Sequence, residues 1–326
     1  MRPDQSLSCQ FCTDFGGATR VRETLTNWQE SWLTHQVASY RSSQGCEDIW
    51  WVRALQIEHA LLMEVPLCGV SLDFAKCFDK MPHSILFAMA RKAGMPEPIV
   101  RGLQGMYGQL ERRFKTGCVL GKAFKSTNGI LQGCPVNALL LNLFAQTWAN
   151  AVAAEVPSTD PRAYADDMSC TADDPPTIQS VLDLSSEFAR LTGMELNTVK
   201  TNVWSTEPQY RAILRASANI DGTPIPCVDS DRVLGAHLSF TRRRAQTTLS
   251  KKLPTCLEIC GRIEASLLPL PVRASLVASI VVPKAIYGSA GTPCSKKHMK
   301  TLRAACTRAI WGQSNRLCRG CPHSAV

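Results

Sequence analysis

The chain has 326 residues, 45% of them apolar and 19% charged, and a net charge of +9. That length and apolar content exclude a disordered chain and allow two compact units or one multi-lobed unit. No stretch of eighteen uncharged apolar residues occurs, and Met1-Arg2-Pro3-Asp4 leads into polar sequence, so neither a membrane span nor an apolar targeting segment is expected and the protein reads as intracellular.

In chain order, residues 1–30 carry little pattern. Gly16-Gly17 interrupts it, and Arg20, Arg22, Leu25 and Trp28 are spaced as the beginning of a helix. Cys9 and Cys12 have metal-ligand spacing, as do Cys318 and Cys321 with His323, but the pairs lie at opposite ends of the chain and coincidence outweighs a zinc site. Most of the 15 cysteines, such as Cys68, Cys134 and Cys306, stand singly among apolar positions and read as small hydrophobes of a reducing compartment. A helix is expected from about Glu47 to Met63, with Ile49, Val52, Leu55 or Gln56, and His59 or Ala60 turned inward. Val70, Leu72 and Phe74 alternate, as on a strand with one face in the core. Pro82 opens a helix whose buried face is Ile85, Leu86 and Met89, and Gly94 with Pro96 closes it. A second helix follows over about Glu97 to Glu111, then a glycine-containing hairpin over Arg112 to Thr127. Pro135 to Glu155 is a helix apolar over most of its surface, which means central burial.

Strands surround Tyr164 and Met168, and Pro175 to Thr192 is helical with Gly193 as the stop. Met194 to Leu196 and Val203 lie on short strands. Ile220-Asp221-Gly222-Thr223 is a hairpin turn, because Asp-Gly tolerates positive φ. Beyond Thr241 the pattern is helical: Leu253, Leu257, Cys260, Ile263 and Leu267 recur, followed by Val272 to Tyr287 and Lys296 to Trp311. From Thr241 onward fifteen Lys or Arg stand against two acids, Glu258 and Glu264, a net of +13 that leaves −4 for the rest. Such asymmetry points to a polyanionic partner at the C-terminal part, the plain alternative being a basic solvated surface.

The residues that carry chemistry are few. Ala163-Tyr164-Ala165-Asp166-Asp167-Met168 reads as strand, tight turn and return strand, which pushes two carboxylates out of a sheet edge. Carboxylates on a rigid turn suit a hard divalent cation. An Asp-Asp pair is more often a solvated turn, the reading given to Asp173-Asp174, but Asp73 supplies a third acid at the end of another apolar strand. Between them, Gln132-Gly133-Cys134-Pro135 opens the apolar helix. Such a loop is either a cap or a place where a base pair or phosphate approaches the backbone.

In order, Leu72-Asp73-Phe74-Ala75-Lys76-Cys77-Phe78-Asp79, Gln132-Gly133-Cys134-Pro135 and Tyr164-Ala165-Asp166-Asp167 resemble motifs A, B and C of reverse transcriptases, most of all those of non-LTR retrotransposons. Gly193-Met194-Glu195-Leu196-Asn197 with Lys200-Thr201 resembles motif D, and Val233-Leu234-Gly235 the start of motif E. The resemblance runs from about Trp32 to Trp311. It implies an α+β fold, the palm of a right-hand polymerase with a ferredoxin-like βαββαβ plan, partial fingers over 1–68, the palm with motifs A to E over 69–240, and a basic helical thumb over 241–326.

The resemblance further implies an RNA-directed DNA polymerase that uses two Mg²⁺, with Mn²⁺ as the alternative, and takes an RNA template, a DNA primer and deoxynucleoside triphosphates. Asp73, Asp166, Asp167 and the Phe74 carbonyl would ligate the metals, and Lys200 would stand by the leaving pyrophosphate. Phe74, Phe78, Gln132 and Gly133 would bind the nucleotide, Phe78 as the gate against a 2′-hydroxyl. Nucleic-acid contacts are expected from Arg41, Tyr164, Gly235, Lys251 and Lys252. Asn137-Ala138 stand where relatives show Ser-Pro, and the Arg-Pro-Ile segment of upstream finger strands is not found. The chain therefore resembles part of a larger element protein, whose compartment would be the nucleus. Two alternatives stay open: a catalytically defective fragment acting as a nucleic-acid-binding or scaffold protein, and a two-metal nuclease, which has no use for the Gln-Gly loop or Phe78.

Overall fold

The computed structural model describes residues 18–131, 135–242, 248–289 and 295–312. Two compact units divide at Asp229 and Ser230, ahead of the palm boundary expected at 240. In the first unit, helices α1 (Ala18–Glu30) and α2 (Cys46–Met63) lead to strand β1 (Cys68–Asp73). A single turn α3 (Cys77–Lys80) and helices α4 (His83–Lys92) and α5 (Glu97–Gln109) follow. A hairpin of four two-residue strands comes next: β2 (Glu111–Arg112), β3 (Lys115–Thr116), β4 (Val119–Leu120) and β5 (Phe124–Lys125). Then come α6 (Pro135–Glu155), β6 (Asp160–Tyr164), β7 (Asp167–Ala172), α7 (Pro175–Thr192), β8 (Asn202–Ser205) and α8 (Pro208–Ser217). The small hairpin β9 (Asn219–Ile220) and β10 (Thr223–Pro224) completes the unit.

The central sheet has the order β6-β7-β1-β8 with every pair antiparallel. With helices between β1 and β6 and between β7 and β8, this is the expected βαββαβ plan. One face carries Val70, Leu72, Met168, Cys170 and Val203, all buried. Helix α6 seals this core: Leu140, Leu141, Phe144, Ala145 and Trp148 are inaccessible, and the Trp148 indole donates to Ser185 Oγ on α7 at 3.0 Å. Helix α7 starts on Asp174, whose carboxylate accepts from the Thr177 N–H, so this acid is a cap rather than the solvated turn expected. It stops on Gly193 at φ +69. On the opposite face of β1, Gly69 leaves room for the Trp204 ring, and an added Cβ would lie 2.2 Å from that indole.

Several expectations need correction. Helix α2 buries Ile49, Trp50, Arg53, Ala54, Ile57 and Ala60, whereas Leu55 is 47% exposed and His59 faces solvent. Buried Trp50 and the paired Arg53 shift the stripe away from the one the aliphatic residues suggest, while Trp51 is exposed. Helix α5 stops at Gln109 because Glu111 already pairs with Lys125 in the hairpin. Helix α8 was not anticipated; its fully buried residue is Leu214, too little apolar signal to read. Buried Cys68 and Cys77, whose thiols burial pushes up to about 12, are the inert hydrophobes expected. The pairs Cys9/Cys12 and Cys318/Cys321, with His323, lie outside the described residues, as does Cys134.

The second unit opens with hairpin β11 (Ser230–Val233) and β12 (Ala236–Ser239), turned by Leu234 and Gly235 at positive φ. Helix α9 (Thr248–Glu264) follows, then α10 (Leu270–Leu276), a π turn over Val277–Val281, α11 (Val282–Ile286) and α12 (Lys296–Trp311). The run expected as one helix from Val272 widens here, because Pro283 has no N–H to give to Ser279 and the wider turn accommodates its ring. Leu253, Cys256, Cys260, Ile263, Val281 and Leu302 form the core, whereas Leu267, the last of the recurring positions, lies past the helix end at Glu264 and is wholly exposed. No helix among the described residues is long and apolar enough to cross a membrane.

Candidate active site

Strand β1 delivers Asp73 and β7 delivers Asp167, and the two are register partners. The Asp73 N–H donates to Thr201 Oγ1 at 3.2 Å, and its carbonyl accepts from Asn197 N–H at 2.7 Å. Its backbone polar groups therefore point away from β7, and the Asp73–Asp167 pair exchanges no ladder bond. Such pairs bring Cα atoms and side chains closest, with Cβ atoms about 4.5–5.5 Å apart on one face. Tyr164 pairs with Asp167 at the end of β6–β7, leaving Ala165 and Asp166 as the turn. Ala165 takes φ +57, a costly conformation for a residue with a Cβ, and the turn puts Asp166 in solvent beside Asp167.

The segment after Gly193 returns along β1. Phe74 bridges Leu196, with the Ala75 N–H donating to Glu195 O at 2.8 Å. In that pattern the Phe74 carbonyl turns to the other edge, the side of β7. Its ring is buried edge-on against Phe144 at 5.4 Å. Lys200 reaches the cluster, its Nζ 3.6 Å from Asp73 Oδ1 in an exposed pair. Lys76 at φ +50 turns the chain into α3, where half-buried Phe78 packs on the core and its carbonyl accepts from Ile130 N–H at 2.7 Å. Among the described residues no group of three His, Cys, Asp or Glu is gathered to hold a metal ion.

Gln132 and Gly133 lie outside the described residues, but both flanks are held. Tyr107 Oη donates to Asn137 Oδ1 at 2.6 Å and accepts from Leu131 N–H, while Asn137 Nδ2 donates to Leu131 O at 2.7 Å. Asn137, the departure from Ser-Pro, is thus a buried strut that fixes the loop's two ends.

An edge segment completes the turn's surroundings. Ala163 donates to Gln36 O and accepts from Ala38 N–H, so Gln36 to Ala38 lies parallel to β6. This places Tyr40, at φ +56, beside the turn, and burial together with the Asp166 charge raises its phenol above the ordinary value. Burial and a hydrogen bond with the Cys46 thiol push Tyr164 up to about 12. Arg41 is engaged within its own loop: it pairs with Glu30 at 2.6 Å and donates to Thr34 O at 3.0 Å. In the second unit, the Lys252 ammonium donates to Tyr287 O at 2.8 Å and lies 4.7 Å over that ring, while Tyr287 Oη donates to Leu234 O. Gly235 sits against the same ring, and Lys251 is exposed.

Sequence reasoning missed Arg53. Its side chain is 3% exposed and covers the polar face of the sheet from α2. It donates to Thr171 Oγ1 at 2.6 Å, Asp160 O at 2.7 Å and Ser169 O at 3.2 Å, and pairs with Asp160 Oδ2 at 3.3 Å. Burial lowers its pKa to about 10. Burial alone would raise Asp160, but Arg53, Arg162 and Gln56 more than offset this and hold it below the ordinary carboxylate value. The signal was legible: Ile49, Arg53 and Ile57 recur every four residues, which sets an arginine inside a buried stripe.

The family model for reverse transcriptase (RNA-dependent DNA polymerase) matches residues 18–225, more than half of the chain. The chain belongs to the reverse transcriptase family. It is 24% identical over 239 residues to the retrovirus-related Pol polyprotein of a type-2 retrotransposable element from Drosophila melanogaster. The match covers 69% of this chain and 22% of that polyprotein, so this reverse transcriptase chain spans about a fifth of its relative's length. Its fold is similar to telomerase from Candida tropicalis solved with the TWJ fragment of telomeric RNA, with a TM-score of 0.50, 10% identity, and coverage of 91% of this chain and 55% of that one. An apo telomerase from the same organism, truncated from its C-terminal domain, matches with a TM-score of 0.50 at 15% identity over 68% of this chain and 44% of that one. The reverse transcriptase chain thus has the right-hand polymerase fold.

Proposed function

We propose that this chain carries the nucleotidyl-transfer centre of a retrotransposon RNA-directed DNA polymerase, which extends a DNA primer along an RNA template with deoxynucleoside triphosphates. The observation that carries the reading is the placement of Asp73 opposite Asp167, with Asp166 in the adjoining turn. Carboxylate and carbonyl oxygens are hard donors, suited to Mg²⁺ and also to Mn²⁺. Asp73, Asp166, Asp167 and the Phe74 carbonyl would hold two such ions, whose chemistry is to lower the pKa of the primer 3′-hydroxyl and neutralise the leaving pyrophosphate.

The chain's own residues supply the rest. Thr201 and Asn197 fix the backbone of Asp73, so its carboxylate is aimed before substrate arrives. Lys200 holds a proton on Nζ at the rim of the cluster. Its pair with Asp73 is exposed and weak, so the ammonium is free to swing to a phosphate oxygen, where it stabilises the departing charge or donates its proton. Half-buried Phe78, its carbonyl bonded to Ile130 N–H, would be the residue set beneath the sugar.

A second reading, a reverse-transcriptase fold that binds nucleic acid or acts as a scaffold without synthesis, is favoured by one observation. Lys200 occupies Asp73, and no three ligating side chains close on a point among the described residues. Single-turnover primer extension on homopolymer RNA with Mg²⁺, protein in excess, separates the two. Added deoxynucleotides support synthesis; hybrid binding with no extension supports the scaffold. Cleavage of labelled RNA incubated alone would instead reveal a nuclease.

A further inference from the structure

The hairpin β2–β5 is the part of the described fold that packs on nothing. Every residue from Arg113 to Lys125 is exposed, on both faces of the two-stranded ribbon. An isolated hairpin with two wet faces is marginal in water. This one nevertheless presents large apolar groups: Phe114 is 74% exposed, Phe124 39%, and Val119 and Leu120 stand out beside them. The Phe114 and Phe124 rings lie stacked at 5.1 Å with 21° between their planes. Between and around them are Arg112, Arg113, Lys115, Lys122 and Lys125 against one acid, Glu111.

We propose that this hairpin is a docking arm for single-stranded polynucleotide, with Phe114 and Phe124 as the stacking platform for bases and Lys115, Lys122 and Lys125 as the phosphate contacts. Charge complementarity selects the occupant. A partner that covers five cations and one acid must be polyanionic, and one that also covers flat rings must offer flat apolar faces. An unpaired nucleic acid strand has both, whereas a duplex keeps its bases stacked inside. The arm is rooted near the active site. Arg112 Nη2 donates to Gly129 O at 3.1 Å, and the next residue, Ile130, donates to Phe78 O. A strand held by the arm is therefore tethered close to Gly129 and Phe78.

The inference rests on the polymerase reading only for what the strand is used for, so its test needs no synthesis. Binding of the full chain to a labelled oligoadenylate of about 15 nucleotides, within the usual site size for single strands, is followed by anisotropy across a salt series without triphosphates and with a chelator. Phe114→Leu with Phe124→Leu keeps apolar bulk and removes the flat rings; affinity should fall about tenfold with the salt slope unchanged. Lys115→Ala with Lys122→Ala and Lys125→Ala should flatten the slope by about 2, at roughly 0.7 per lost phosphate contact. Melting temperatures should not move, since the side chains are exposed. Binding to a blunt RNA–DNA hybrid should be insensitive to the leucine pair. Unchanged oligoadenylate binding by the leucine pair, as a protein-docking arm or a purely electrostatic surface would give, overturns the proposal, and so does an equal loss on the blunt hybrid. Extension measured in parallel reports on the polymerase reading alone: a chain that never extends but loses oligoadenylate binding in the leucine pair leaves the arm assigned.

Discussion

Asp73 and Asp167 face each other across a strand pair that exchanges no backbone hydrogen bond at that position, because the N–H and carbonyl of Asp73 are taken by Thr201 and Asn197. The two side chains therefore lie on the same face of the sheet. Thr201→Val should leave both acids in place yet loosen the aim of Asp73. A misplacement of about 1 Å costs roughly 10²-fold in rate. Extension slowed with an unaltered hybrid affinity is the expected outcome; loss of affinity alone would assign Thr201 to binding.

The Arg53–Asp160 pair is the strongest candidate for a stability determinant of the sheet. Arg53→Met should cost about 3 kcal/mol, since it removes the buried one of the two arginines paired with Asp160 and leaves Thr171 and the Asp160 and Ser169 carbonyls without their donor. Adding Asp160→Asn should recover a large part, and a double-mutant cycle by urea unfolding measures the coupling. Asp160 is held below its unfolded pKa, so its contribution is present above that value and is lost as pH falls through the folded one. Parent stability should therefore decline in acid more steeply than that of Asp160→Asn.

Phe74 and Phe78 look alike in sequence and part company in the fold. Phe74 is buried against Phe144, so Phe74→Ala should cost about 3–5 kcal/mol with no defined change in substrate. Phe78 is half-buried beside Ile130, and Phe78→Val should lower the melting temperature less than Phe74→Ala while admitting ribonucleotides. A Phe78→Val chain that still excludes ribonucleotides as well as the parent would show the ring is packing only.

The adjacent lysines of α9 separate in the same way. Lys252 is spent on Tyr287, so Lys252→Ala should cost about 1 kcal/mol of stability and leave the salt dependence of hybrid binding alone. Lys251 is exposed, and Lys251→Ala should lower the salt slope by about 0.9 without destabilising the unit. A salt-binding series with thermal melts distinguishes the two; a reversed pattern would refute the division.

Elements whose local signals agree were legible in the sequence. Strand β1 alternates, α6 is apolar all round behind Pro135, α7 runs from Pro175 to its stop at Gly193, and Asp221-Gly222 sits in the turn that positive φ demands. The placement of Asp73 at a strand end and of Asp166-Asp167 at a tight turn was legible for the same reason. What stayed hidden depends on partners distant in sequence. The buried place of Arg53 on α2 could be read from its spacing between Ile49 and Ile57, but its acceptors Asp160 and Thr171, more than a hundred residues away, could not. The engagement of Arg41 with Glu30 and of Lys252 with Tyr287 is likewise invisible to charge counting, because a cation in a loop and a cation in a basic tail look the same until the neighbours are known.

The central claim is that Asp73, Asp166 and Asp167 are the ligands of a polymerase centre. Asp166 stands in an exposed turn, so Asp166→Asn keeps the shape and the fold and removes one charge. Single-turnover extension of a DNA primer on RNA, parent against Asp166→Asn across a Mg²⁺ titration, is the direct measurement. The account predicts Mg²⁺-dependent addition by the parent and at least a ~10²-fold loss in the variant with its melting temperature retained. Near-equal extension by the variant would contradict it.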